Sequence, residues 1–242
     1  MCVGQNLKSS ATRKDRLFMT ILALEFSSAQ RSVAVVRRRD AGVAFVASEV
    51  VEIGAGGTRA FGMIESALRD AGLEREQIEV LAIGLGPGSY TGIRVALSIA
   101  QGWQLASGRD ATKLLGLSSV DCVVAQAQAE KISGRASVVV DAQRNEFYLA
   151  AYDISAAGQR EVEPLGILTR AEVEQRANAG EILVGPEVTR WFPGGRVIFP
   201  RAAVLGQLAL SRSDFATGDL LVPIYLRETN FVKAPPSRQT TP

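Results

Sequence analysis

Along the first fifty residues, apolar positions fall in short blocks rather than at helical intervals. TILALE (20–25) is an apolar run closed by an acid; SSAQR follows as a turn, and SVAVV returns. RRRDAG, with its Arg37-Arg38-Arg39 cluster, reads as a second turn, and VAFVASEVV as a third run. Three β-rich runs with short polar links predict an antiparallel meander. The period then changes. In TRAFGMIESALRDAGL, Phe61, Ile64, Leu68 and Ala71 recur at helical spacing, with Thr58 as candidate N-cap and Gly72 as the C-terminal stop. IEVLAI (78–83) is a continuous apolar run, the mark of a buried parallel strand. A glycine-rich loop follows, then a helix from about Thr91 to Ser107.

The second half repeats the opening theme. Ser118 and Asp121 have capping-box spacing and predict a helix to about Lys131. ASVVVDAQRNEFYLAAYD (136–153) then mirrors TILALEFSSAQRSVAVV (20–36): strand, terminal carboxylate (Glu25, Asp141), polar turn containing an arginine, returning strand. Each opens one half of the chain, which predicts a duplicated α/β domain. Beyond it come a helix from Thr169 with Glu172 in capping-box position, strands EILVG and RVIFP, and a helix over about 201–211. The expected organisation is an extension over 1–18, two halves over 19–110 and 111–200, a closing helix and segment over 201–233, and a flexible tail over 234–242.

The loop GLGPGSYTGIRVALS (84–98) sits between a strand and a helix start, where unpaired amides and the helix dipole favour an anion. Gly86, Gly88, Ser89, Tyr90 and Thr91 form a candidate phosphate-binding loop, with the amides of Ser89, Tyr90 and Thr91 aimed at the ligand. Yet GPGSYTG matches neither G-x-x-x-x-G-K-[ST] nor G-x-G-x-x-G, and it lacks the phosphate-reaching lysine. The competing reading is that the glycines serve the turn and close packing.

The helix after the loop is apolar on two sides. Ile93, Ala96, Leu97 and Ala100 mark one; Val95, Ile99, Gly102 and Ala106 mark another; Arg94, Ser98 and Gln101 leave only a narrow polar stripe. A helix resting on one sheet shows a broad polar face. Two readings fit: an internal core helix, or a helix buried at a subunit interface shared with helix 58–71. The candidate partner interface is Phe61, Ile64, Leu68, Ile93, Arg94, Leu97, Ala100 and Gln101.

Composition narrows the chemistry. The chain has no histidine, which excludes histidine-ligated zinc, a histidine general base and every Ser-His-Asp or Cys-His arrangement. Its 27 basic and 25 acidic side chains leave a net charge of +2, without the clustered excess that draws nucleic acid non-specifically. The two cysteines, Cys2 and Cys122, do not suggest a disulfide framework and fit a reducing compartment. No apolar run approaches the ~18–20 residues of a membrane span. Glu25 and Asp141 could hold a metal-nucleotide in a cleft between the halves, but neither precedes a glycine-rich hairpin, and both read more simply as turn formers.

ILALEFSSAQRSVAVV, ALRDAGL, IGLGPGSYTGIRVALSIAQGWQLA, VVVDAQRNEFYLAAYD and the closing PIYLRETNFVK together resemble the bacterial tRNA threonylcarbamoyladenosine biosynthesis family TsaB, also called YeaZ. The resemblance spans about 19–233, and GPGSYTGIR is its most specific part. It implies an actin-like fold (ASKHA, ribonuclease H-like) of two related α/β halves. It also implies a cytoplasmic, non-catalytic subunit that forms a heterodimer with TsaD, the relative that carries the metal site and transfers threonylcarbamoyl to the adenosine beside the tRNA anticodon. The ATPase TsaE joins that assembly, and tRNA is met through the complex; separately, the apolar area expected on the helices of the N-terminal half predicts that two copies could pair when TsaD is absent. The subunit itself would need no cofactor or metal, with ATP or ADP entering at the level of the complex. The family's first strand usually ends Asp-Thr-Ser; here it ends Glu25-Phe26-Ser27, which weakens any nucleotide or metal role at that point. The alternative is an ATP-binding phosphotransferase or ATPase of the same fold.

Overall fold

The structure, a computed structural model, describes residues 18–39, 42–54, 59–108 and 112–226. Its first half runs β1 (Phe18–Glu25), β2 (Gln30–Arg39), β3 (Ala44–Ile53), α1 (Ala60–Ala71), β4 (Val80–Gly84), α2 (Tyr90–Ser107) and β5 (Lys113–Leu117). These strands form one sheet in the order β3-β2-β1-β4-β5, antiparallel through the meander and parallel from β1 to β5. After α3 (Ser119–Ala129) the second half follows with β6 (Gly134–Asp141), β7 (Glu146–Ser155), β8 (Gly158–Thr169), α4 (Arg170–Asn178), β9 (Ile182–Gly185), β10 (Arg196–Val197) and α5 (Ala202–Ala209). Its sheet order is β8-β7-β6-β9-β10, again antiparallel and then parallel. The two sheets therefore repeat one topology, and the architecture is the expected actin-like pair of α/β halves.

The halves interlock through their last helices. α3 leaves the first sheet and packs on the second, where Val120, Val123, Val124 and Ala127 meet Val138 and Ala150. α5 leaves the second sheet and packs on the first, where Ala202, Leu205 and Ala209 meet Ala23, Ala34 and Val36. Gly206 lets this helix lie close, because a Cβ there would press into the Val36 side chain. The opposite face of the first sheet is covered by α1 and α2, with Leu22, Leu24, Val33 and Val35 against Met63, Ile64, Ile93 and Ala96. The repeat is most unequal between the last two strands of each sheet. Between β4 and β5 stands the 18-residue α2, whereas β9 and β10 are joined through only a short 3-10 turn, Val188–Arg190.

Several boundaries differ from expectation for physical reasons. β5, counted with the second half by a break at 110, pairs with β4 in the first sheet. Arg37–Arg39 continue β2 instead of turning, since β1 begins at Phe18 and pairs with β2 as far as Arg39; Arg38 also donates to the Leu210 carbonyl at 3.0 Å. RVIFP contributes only Arg196–Val197, and Pro200 lacks the N–H to prolong a ladder. β8 has no counterpart in the sequence reading. Its charged residues and Pro164 break the alternation, and it is an edge strand whose pairing with β7 is irregular around Ala151. The Thr169–Glu172 capping box and the left-handed Gly72 stop form as expected. Thr58, residues 1–17 and the tail over 234–242 lie outside the described residues.

Candidate functional site

The glycine loop is tied to its own protein. Its helix begins with Ser89 as N-cap, whose Oγ accepts from the Gly92 N–H at 3.2 Å. The Ser89 N–H itself donates to the Ser27 carbonyl at 2.6 Å. Gly86 donates to Ser119 Oγ at 3.2 Å and accepts from the Ser119 N–H at 2.8 Å, which clamps the loop to the start of α3. A Cβ at Gly88 would strike the Ser27 carbonyl, and one at Gly92 the Phe26 carbonyl. The glycines thus let the loop lie flat on the β1–β2 turn. Of the three amides expected to face a phosphate, that of Ser89 is occupied within the fold.

Glu25 lies directly beneath. It is fully buried; Oε1 accepts from the Ser27 N–H at 2.8 Å and Oε2 from the Ser119 hydroxyl at 2.8 Å. Burial pushes its pKa up from the ordinary 4.5, and the hydrogen bonds from Ser27 and Ser119 oppose that rise. A Cβ on Gly84 would overlap this carboxylate, so the end of β4 is glycine because Glu25 fills the space. Asp141, at the matching position in the second half, accepts from the Gln143 N–H at 2.8 Å and from Gln143 Nε2 at 3.0 Å. Both strand-end carboxylates fasten the turn that follows them. Among the described residues, no group of three or more Cys, Asp or Glu side chains is placed to hold a metal ion.

Two concavities flank the N-terminus of α2. The larger, about 1400 Å³, is the cleft between the halves, with Ser27, Ser28, Arg31 and Ser89 on one side and Asp141, Arg144 and Tyr148 on the other. Its second-half rim is a turn in which Gln143, Arg144 and Asn145 all have positive φ, at 64°, 59° and 63°. The other is a groove of about 830 Å³ between α1 and α2, walled by Phe61, Ile64, Leu68, Val95, Ile99 and Trp103. Phe61 is 70% exposed and continues the apolar walls of the groove to its rim, so that the two together make a contiguous apolar surface of the kind that marks an interaction site. Tyr90 and Arg94 line both concavities.

The predicted interface residues divide. Phe61 is exposed on the groove, and Ile64 and Leu68 form its floor with little surface left. Arg94 is exposed, its guanidinium 4.1 Å from the centroid of the Tyr90 ring. Ile93 and Ala100 are fully buried and Leu97 nearly so; they face the first sheet and belong to the chain's own core. Gln101 is turned to another task, donating to the Gly218 carbonyl at 3.0 Å and so holding the segment after α5. α2 does have two apolar sides, but the outward one is the side of Val95, Ile99 and Gly102. Periodicity alone could not say which side meets the sheet.

Two groups lining the groove, Trp103 and Arg75, and one behind its Tyr90 end, Tyr225, are absent from the sequence-based candidates. Trp103 closes its far end, with Arg75 5.3 Å above its ring centroid and its buried Nε1–H unpartnered in the described structure. Tyr225, from the closing segment, stacks on Tyr90 at 5.5 Å and 24°. Trp103 follows Ile99 and Gly102 at helical spacing and was legible as part of that side. Arg75 and Tyr225 lie outside both helices, and no local signal places them there.

The family model described as TsaD, tRNA N6-adenosine threonylcarbamoyltransferase, matches residues 58–211, a stretch that holds both groove helices and the loop between β4 and α2. The chain belongs to that family. Within it the chain is a TsaB/YeaZ member, as the sequence resemblance implied. The tRNA threonylcarbamoyladenosine biosynthesis protein TsaB of Escherichia coli is 26% identical over 196 residues, covering 73% of this chain and 83% of that protein. TsaB of Haemophilus influenzae is 37% identical over 137 residues, 54% of this chain and 53% of the relative. The solved structure of YeaZ from Pseudomonas aeruginosa shares the fold with a TM-score of 0.69 at 24% identity, over 86% of this chain and 99% of that one.

Proposed function

We propose that the chain is a non-catalytic docking subunit in the biosynthesis of threonylcarbamoyladenosine in tRNA. The observation that carries this reading is the apolar groove between α1 and α2, with Phe61 standing exposed at its edge. Covering one such aromatic contributes roughly 1.5–3 kcal/mol. Meanwhile the candidate chemical groups have internal duties: Glu25 and Asp141 brace their turns, and the Ser89 amide bonds to Ser27. The relatives named above supply the pathway. In this reading the groove docks a TsaD-type transferase, the ATPase TsaE joins the pair in the cytoplasm, and both tRNA and nucleotide are handled by the complex rather than by this chain. Without the transferase, the groove pairs two copies.

The test is reconstitution. With ATP and a threonylcarbamoyl donor, its adenylate, supplied, purified transferase, ATPase and tRNA should yield threonylcarbamoyladenosine only when this chain is added, and the chain alone should not turn over ATP. Full modification in its absence would overturn the proposal. So would ATP hydrolysis by the isolated chain that disappears in Asp141→Ala.

A further inference from the structure

The groove carries a charge pattern that its apolar walls do not explain. Arg94 lies over Tyr90 at the first turn of α2, and Arg75 lies over Trp103 near its last. From Tyr90 to Trp103 the helix advances thirteen residues, about 20 Å. Among the described residues Arg94 forms no ion pair, and the ion pair Arg75 makes is with its neighbour Glu76 at 3.7 Å, between exposed side chains, where such a contact is worth little. The groove is therefore an apolar trough with an arginine guanidinium over an aromatic ring at each end. Among the described residues, Glu65 on the α1 wall is the one acid lining it.

Arg94 is also held from behind. Its aromatic platform, Tyr90, is stacked on Tyr225, and the Ile224 N–H fastens that segment to the Leu85 carbonyl at 2.9 Å. Tyr225 faces the cleft and does not line the groove. An arginine held over a ring loses less freedom when it binds a carboxylate than one that samples solvent.

We propose that the groove selects an acidic amphipathic helix of its partner, whose carboxylates, set about 20 Å apart, are taken by Arg94 and Arg75, with Tyr225 as the positioning residue for Arg94. This deepens the docking role above and rests on it. An apolar stripe on the incoming helix would fill the trough, and the two charged ends would fix its register and exclude basic helices.

The test is the affinity of the full chain for the purified TsaD-type transferase of the same genome, measured by calorimetry at about 0.05 M and about 0.5 M salt. Arg94→Glu and Arg75→Glu should each weaken binding about tenfold or more at low salt, with little effect at high salt. Arg94→Ala should flatten the salt dependence, and Arg94→Lys should retain part of it. Tyr225→Ala should weaken binding in the wild-type background but not in the Arg94→Ala background, while Tyr225→Phe restores it. Melting temperatures of the Arg94 variants report folding, and Arg94 is exposed. Wild-type affinity in Arg94→Glu and Arg75→Glu would overturn the charge reading. If Phe61→Ser still loses binding in that case, docking at the groove survives; if it does not, the docking role fails too. Charge variants that change only self-association would make the occupant a second copy and overturn the proposal.

Discussion

The Ser119 hydroxyl donates to the Glu25 carboxylate at 2.8 Å across 94 positions of the chain. Through this bond the end of β1 is joined to the helix that leads into the second half, and the glycine loop is held between them by the paired bonds of Gly86 and Ser119. An acid so placed is a structural tie with a titratable cost. Because burial raises its pKa in the folded state above the ordinary 4.5, the native protein holds this proton more tightly than the unfolded chain does. The stabilisation linked to that proton is complete below the ordinary value and is lost as pH rises through the folded one. Glu25→Gln carries no such proton. Urea unfolding of both proteins at several pH values should show the wild type losing ground to Glu25→Gln as pH rises above about 4.5, and a constant difference would mean that the carboxylate titrates as it does in water.

Gly92→Ala tests whether the loop's glycines serve packing. The added Cβ would collide with the Phe26 carbonyl, a backbone atom at the start of the β1–β2 turn that cannot rotate away. Overpacking of this kind costs about 1–3 kcal/mol, occasionally more. Denaturant midpoints should fall accordingly. Gly102→Ala, on the same helix with open space around it, should be neutral or slightly stabilising. Equal effects at the two positions would remove the packing explanation.

The fold was legible where the repeated pattern of strand, acid, turn and strand survived, because Glu25 and Asp141 both close a buried strand and bond the amide two residues on. β8 was hidden because an edge strand with Glu161, Glu163 and Pro164 has no apolar alternation to display. At the groove, sequence periodicity found both apolar sides of α2 but not which of them the first sheet covers. Ile93 and Ala100 lie against the first sheet, and only tertiary packing decides that they do. Tyr225 was invisible for a different reason: it reaches Tyr90 from 135 residues away along the chain (225 − 90).

Cys122 should be chemically silent. It is fully buried in α3, and burial first, then the nearby charges of Glu25 and Asp121, push its thiol well above the ordinary 9.0. The reactive thiolate is therefore scarce as well as covered. In a Cys2→Ser variant, a thiol reagent should label Cys122 only as fast as the protein opens, with labelling accelerating through the urea transition. Rapid labelling in buffer at neutral pH would show that the α3 N-terminus opens locally.

Phe61 and Ala100 separate docking from folding. Phe61→Ser replaces a side chain that is 70% exposed, so stability should change by no more than about 0.5 kcal/mol, while affinity for the transferase falls about tenfold or more if Phe61 anchors the contact. Ala100→Arg acts in the opposite place. Ala100 is fully buried against the first sheet, and an unpaired charge there should cost about 3–5 kcal/mol. That variant should unfold or precipitate before its binding can be measured. Thermal melts and pull-downs on the two proteins therefore give opposite signatures. A folded Ala100→Arg protein that had merely lost its partner would place the interface on the other side of α2 and move the docking surface away from the groove.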